Sequence, residues 1–67
     1  MLTLTQLWLL IANINVYTHV EIWRKWNVKI YDGEFGKIPR IIDKYYMVSI
    51  VRIKDDTIII DVNRKAV

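Results

Sequence analysis

Residues 16–31 alternate with a period of two, and the two sides of the alternation differ in kind. Val16, Thr18, Val20 and Ile22, continued by Val28 and Ile30, form a mostly apolar side. Tyr17, His19 and Trp23, with Lys29 and Tyr31, form the other side, which is rich in large aromatics. Alternation of this kind predicts two strands, here 16–23 and 26–31, with Arg24-Lys25 between them. A two-residue hairpin turn normally takes Asn-Gly or Asp-Gly, so a looser turn is expected at this point. Upstream, Thr3-Leu4-Thr5-Gln6 fits a capping box, in which the Thr3 hydroxyl and the Gln6 side chain each bond the other's backbone N–H. A helix over residues 4–12 is predicted to follow, with Leu4, Leu7, Trp8 and Ile11 on one face and Leu2 and Leu9 opposite. Trp8 is expected in the core, and Asn13 and Asn15 suit the helix end.

Downstream, Asp32-Gly33 and Gly36 are turn or bulge signals, and Pro39 interrupts any strand. Residues 40–44 predict one helical turn anchored by Ile38, Ile41 and Ile42. Residues 46–53 are rich in β-branched side chains and predict a third strand. Asp55-Asp56 is a turn, and 57–62 is a fourth strand with Ile58, Ile60 and Val62 on one side and Ile59 on the other. The tail 63–67 is expected to fray. This order predicts an α+β fold in a single domain over 1–67: an N-terminal helix packed on a four-stranded antiparallel sheet, as a two-layer sandwich.

Sixty-seven residues supply a small core, worth roughly 3–5 kcal/mol for a domain of this size. Small domains add a staple, and the absence of cysteine removes disulfides and thiolate metal sites. One histidine, His19, cannot hold zinc alone. With 54% apolar residues, oligomerisation is the remaining staple, and a homodimer is expected. The net charge of +3 comes from ten Lys and Arg against seven Asp and Glu. The cations are spread from Arg24 to Lys65 among the acids, with no long basic run, so general nucleic-acid binding ranks below protein binding. Residues 7–12 are too short to span a membrane, and no basic residue precedes them as in a leader peptide. A cytoplasmic protein with no membrane association is the expectation.

The search for catalytic chemistry is nearly empty. Ser49 and His19 are the sole serine and histidine, and no nucleophile-elbow glycines flank Ser49. Gly33 and Gly36 fit neither a dinucleotide fingerprint nor a P-loop. Asp55-Asp56, and Asp32 with Glu34, read as turn carboxylates. No enzyme activity, cofactor or metal is expected. The aromatics are the candidates, because so small a core cannot bury them all and because Trp, Tyr and Arg dominate binding hot spots. Tyr17, Trp23, Arg24, Trp26 and Tyr31 are the predicted partner-binding residues.

The capped helix with Leu4 and Leu7, then Val20-Glu21-Ile22, Tyr31-Asp32-Gly33, Ile38-Pro39, Val48-Ser49-Ile50 and the run from Ile58 to Val62, follow one another in a recognisable order. Over residues 2–62 the chain resembles small accessory proteins of phages and prophages of Gram-positive bacteria, including anti-CRISPR-like and other anti-defence proteins. It differs in being basic and in carrying Trp23, Arg24, Lys25 and Trp26 where an Asp- or Gly-containing turn is usual. The resemblance implies a non-enzymatic protein in a bacterial host, inhibiting a host defence protein, such as a nuclease, by steric occlusion. A basic charge argues against DNA mimicry and for docking on a protein surface or on a protein–nucleic-acid complex. A small basic nucleic-acid-binding protein and a structural self-assembling protein are the alternatives.

Overall fold

The computed structural model describes residues 2–10 and 14–65. Helix α1 spans Leu4–Leu10 and strand β1 spans His19–Arg24. Strand β2, Val28–Glu34, runs into a 3-10 turn at Phe35–Lys37 and then helix α2, Arg40–Tyr45. Strands β3, Tyr46–Lys54, and β4, Thr57–Arg64, complete an α+β fold. The predicted capping box forms at both ends: the Thr3 N–H donates to Gln6 Oε1 at 2.9 Å, and the Gln6 N–H donates to Thr3 Oγ1 at 3.1 Å. The predicted helix residues 11 and 12, and Asn13, lie outside the described residues. Among those described, no helix is long and apolar enough to cross a membrane.

The sheet is mixed, which corrects the expected all-antiparallel arrangement. Its order is β2-β1-β4-β3. Each hairpin is antiparallel, but β1 and β4 run parallel, with Val20 beside Ile58 and Ile22 beside Ile60. The physical reason is apolar content. Val20, Ile22 and Ile60 are fully buried and Ile58 and Val62 nearly so, so the two strands that most need cover take the centre, as parallel strands generally do. The chain then crosses from one sheet edge to the other through residues 35–45, and α2 sets Ile42 into the core on the way. Leu4 and Leu7 of α1, with Ile14, Phe35 and Val48, belong to the same cluster. Leu2 forms an isolated antiparallel bridge to Val48, which anchors the start of the chain to edge strand β3. The Leu4 N–H reaches Asp43 Oδ1 of α2 at 3.1 Å.

Several local expectations are corrected. Val16 and Tyr17 form a turn, not strand, because Asn15 folds the chain locally. Its side-chain oxygen accepts the Tyr17 N–H at 2.8 Å, and its own N–H donates to Thr18 Oγ1 at 3.0 Å. Strand β2 begins at Val28, not residue 26, and continues through Asp32-Gly33, where a turn or bulge was expected. Gly33 has no positive φ; it is small because the Tyr31 ring covers it, and a Cβ there would sit 2.9 Å from the Tyr31 hydroxyl. A register shift beside Ile22 and Trp23 pairs Ile22 with Tyr31 and Trp23 with Lys29. Such a bulge breaks the period of two, so Ile30 and Tyr31 both pack against the core, and Tyr31 leaves the face predicted for it. Trp8 is 45% exposed, not core, and meets Phe35 edge-on with ring centroids 5.8 Å apart. The tail is ordered further than expected: β4 includes Asn63 and Arg64, and the Lys65 N–H donates to the Tyr45 carbonyl at 2.8 Å.

The 3-10 turn locks onto the turn before β1. Phe35 N–H donates to the Thr18 carbonyl and Gly36 N–H to that of Val16, each at 2.9 Å. At Gly36 a Cβ would lie 2.7 Å from the Val16 Cβ and 3.0 Å from its carbonyl oxygen, so the backbone itself would have to move. Gly36→Ala is therefore expected to destabilise the protein by about 1–3 kcal/mol, as overpacking does, read as a lowered urea midpoint with an unchanged slope.

Candidate functional site

The strand directions give the sheet two unlike ends. Strands β1 and β4 finish at the same end, where β2 and β3 start. Arg24, Lys25 and Trp26 of the first hairpin thus meet Tyr46 at the start of β3 and Val62, Asn63 and Arg64 at the close of β4. These residues line a shallow notch of about 160 Å³. Among the described residues its lining holds three cations, two aromatic rings, one amide and no carboxylate. Among the described residues Arg24, Lys25 and Arg64 make no ion pair. Lys44 stands beside it, its ammonium 5.4 Å from the centre of the Tyr45 ring. Lys65 is held nearby through the bond from its N–H to the Tyr45 carbonyl.

At the tip, Lys25, Trp26 and Asn27 form a three-residue turn between the paired Arg24 and Val28. Trp26 has φ 71° and Asn27 φ 54°. Asn adopts this left-handed conformation readily, but a bulky aromatic does so only at a cost. The Trp26 side chain is nonetheless 89% exposed. A strained backbone holding an indole in water is an arrangement that core packing does not account for, and such outliers collect at functional sites.

The five predicted contact residues do not form one patch. Arg24 and Trp26 share the notch. Trp23 lies on the sheet face opposite the core, its Nε1 donating to Glu21 Oε1 at 3.0 Å and the Lys29 ammonium 5.5 Å from its ring centre. Tyr31 is on the core side, where its hydroxyl donates to the Glu34 carbonyl at 2.6 Å and burial raises its pKa. Tyr17 is 78% exposed but precedes β1, a strand's length of about 20 Å from the tip. Tyr46, Asn63 and Arg64 were missed in the sequence. Asn63 and Arg64 lie nearly forty positions beyond Trp26 and are brought there by the parallel pairing of β1 with β4, and Tyr46 follows through its pairing with Arg64.

The opposite end is acidic and carries a polar chain. Asp55-Asp56 turns the second hairpin as expected, with Asp55 at φ 54°. His19 bonds Thr57 Oγ1 through Nδ1 at 3.0 Å and Asp32 Oδ1 through Nε2 at 2.5 Å, and Lys29 Nζ reaches Asp32 Oδ2 at 2.9 Å. The hydrogen bond from His19, and after it that from Lys29, lowers the Asp32 pKa; the same carboxylate raises that of Lys29. The Asp32 contribution to stability is thus present above the ordinary aspartate range and lost as pH falls through its depressed value. It is small, because these side chains are solvent-screened. Ser49 sits at the β3 irregularity on the far edge, with β4 between it and β1. No group of three or more His, Asp or Glu among the described residues is placed to hold a metal ion. A larger groove, about 590 Å³, runs over Leu4, Trp8, Phe35 and Ile38 toward Lys44 and Lys65. Its floor is the flank of the core, and Asp43 lies among its cations.

The left-handed turn can be tested apart from any partner. Trp26→Gly and Trp26→Ala both remove the indole and differ only by a Cβ. The strain of about 1–2 kcal/mol per left-handed residue is offset in part by the chain entropy of glycine, about 0.5–1 kcal/mol. Urea denaturation is expected to find the Gly variant more stable by roughly 0.5–1 kcal/mol; a more stable Ala variant would contradict the turn geometry. No protein-family model, curated protein or solved structure matches the chain.

Proposed function

We propose that this is a non-enzymatic binding protein that works by docking the basic, aromatic tip of its first hairpin on a larger, negatively charged partner. The observation that carries this reading is Trp26: exposed, strained at the backbone and flanked by Arg24 and Lys25, which make no ion pair among the described residues. An indole with adjacent guanidinium and ammonium groups supplies what hot spots use, a large apolar anchor and a directional charge. The resemblance to phage and prophage accessory proteins supplies the setting: an anti-CRISPR-like inhibitor in the bacterial cytoplasm, occluding a defence protein or its complex with nucleic acid. The clustering of cations in the notch favours nucleic acid as part of that target more than their scatter along the chain suggests.

A homodimer is the second part of the proposal, and the β3 edge is its seam. This nine-residue strand ends the sheet. Among the described residues only Val48 of its outer side is bridged, by Leu2, and Ile50 and Ile53 are exposed. Long apolar edges invite pairing with another chain.

Two experiments test these readings. Tagged protein is passed through bacterial host lysate, with and without nuclease, and the bound fraction is identified by mass spectrometry. One dominant host protein, absent with Trp26→Gly, is the expected result, and its loss on nuclease treatment would mark nucleic acid as part of the target. Recovery of the protein alone would overturn inhibition in that host and leave self-assembly. For the seam, light scattering is expected to give twice the 8.1 kDa chain mass. Ile53→Lys is expected to return the single chain, and a wild-type monomer at all concentrations would refute the dimer.

A further inference from the structure

The geometry points to a binding site for single-stranded nucleic acid in the notch at the basic end of the sheet, with Trp26 as the stacking platform for a base and Arg24, Lys25 and Arg64 as contacts to the phosphates on either side. The inference rests on the reading of the hairpin tip as the working surface and names what that surface grips. Three features select this ligand over an acidic peptide. The notch has room for one ring-sized group rather than a cluster of side chains. Among the described residues Val62, nearly buried, is the one aliphatic side chain in the lining, so the notch offers little apolar surface beyond the Trp26 ring. The lining also contains Asn63, whose amide can both donate to and accept from a base edge.

Single-stranded ligands are favoured over duplex for the same reason. A base can lie on an indole only when it is not already stacked in a helix, and positively charged grooves with aromatic platforms are the general solution for single strands. Lys44 and Lys65 continue the cations from the notch toward α2, with Asp43, which accepts from the Leu4 N–H, among them. A strand entering past Arg24 and Lys25 would therefore leave over cations as well. Asp32, Glu34, Asp55 and Asp56 lie toward the other end; Asp61, beside Trp23 and next to the lining residue Val62, is paired with Arg52, and Asp43 lies with Lys44 and Lys65.

The test is a titration of the intact protein with short oligothymidylate, followed by tryptophan fluorescence and by anisotropy of a labelled strand, from low to physiological salt. The expected result is quenching that disappears in Trp26→Gly, with affinity falling at least about fivefold on loss of one stacked base. The logarithm of affinity should fall with the logarithm of salt at a slope of about −2 for three phosphate contacts, and Arg64→Gln should reduce that slope by about 0.7. A matched duplex should bind more weakly. Circular dichroism of each variant establishes that it is folded. Equal binding by Trp26→Gly would overturn the stacking site and leave unspecific charge attraction. Absence of binding at low salt would overturn it outright. Tighter binding and stronger quenching by poly-glutamate than by oligothymidylate would overturn the nucleic-acid ligand while sparing the hairpin tip as a docking surface for an acidic protein.

Discussion

The parallel contact between β1 and β4 is the constraint on which the rest of this structure depends. Ile22 and Ile60 lie side by side with no exposed surface. Once these strands are central, the chain has to leave β2 at one edge, pass over the core and enter β3 at the other. The segment 35–45 makes that passage. Its fit explains Gly36 against Val16, Ile42 in the core and Asp43 beneath the first turn of α1. The small hydrophobic cluster is thereby closed by a connection rather than by a long helix.

Much of the fold was legible along the chain. The capping box was readable because its two partners are three residues apart and their chemistry is specific. The Ile58, Ile60 and Val62 face was readable because alternation reports burial on one side. Strand order was not readable, because a strand alternates in the same way whether its neighbour runs with it or against it. The bulge beside Trp23 was also hidden. It transfers Tyr31 from one face to the other by a single extra residue, and nothing in the side chains of 28–31 announces it.

The candidate site shows the same division. Trp26 and Arg24 stand out locally, since a large aromatic and a cation occupy a turn that glycine or asparagine would suit better. Tyr46, Asn63 and Arg64 look ordinary at the margins of their strands. Their role comes from long-range pairing, which also converts a scattered set of lysines and arginines into a local concentration. Composition therefore understated the basic character of the one region where it matters.

The separation of charge between the two ends has a consequence before any contact is made. The molecule extends 32 × 23 × 18 Å; Arg24, Lys25 and Arg64 gather at the hairpin end with Asp61 behind them, while the Asp55-Asp56 turn, with Lys54 beside it, closes the other. It is thus an electric dipole as well as a weak net cation. In the field of a polyanion such a body experiences a torque as well as an attraction, so it turns its hairpin tip forward during approach. Against the polyanionic partner proposed above, fewer encounters would be wasted in the wrong orientation, and association would be faster than the net charge of +3 alone allows. The advantage acts over a Debye length of about 8 Å at physiological ionic strength, less than the length of the molecule. Alignment is therefore a property of the last step of the encounter, when the tip is near the surface and the acidic end is already screened from it.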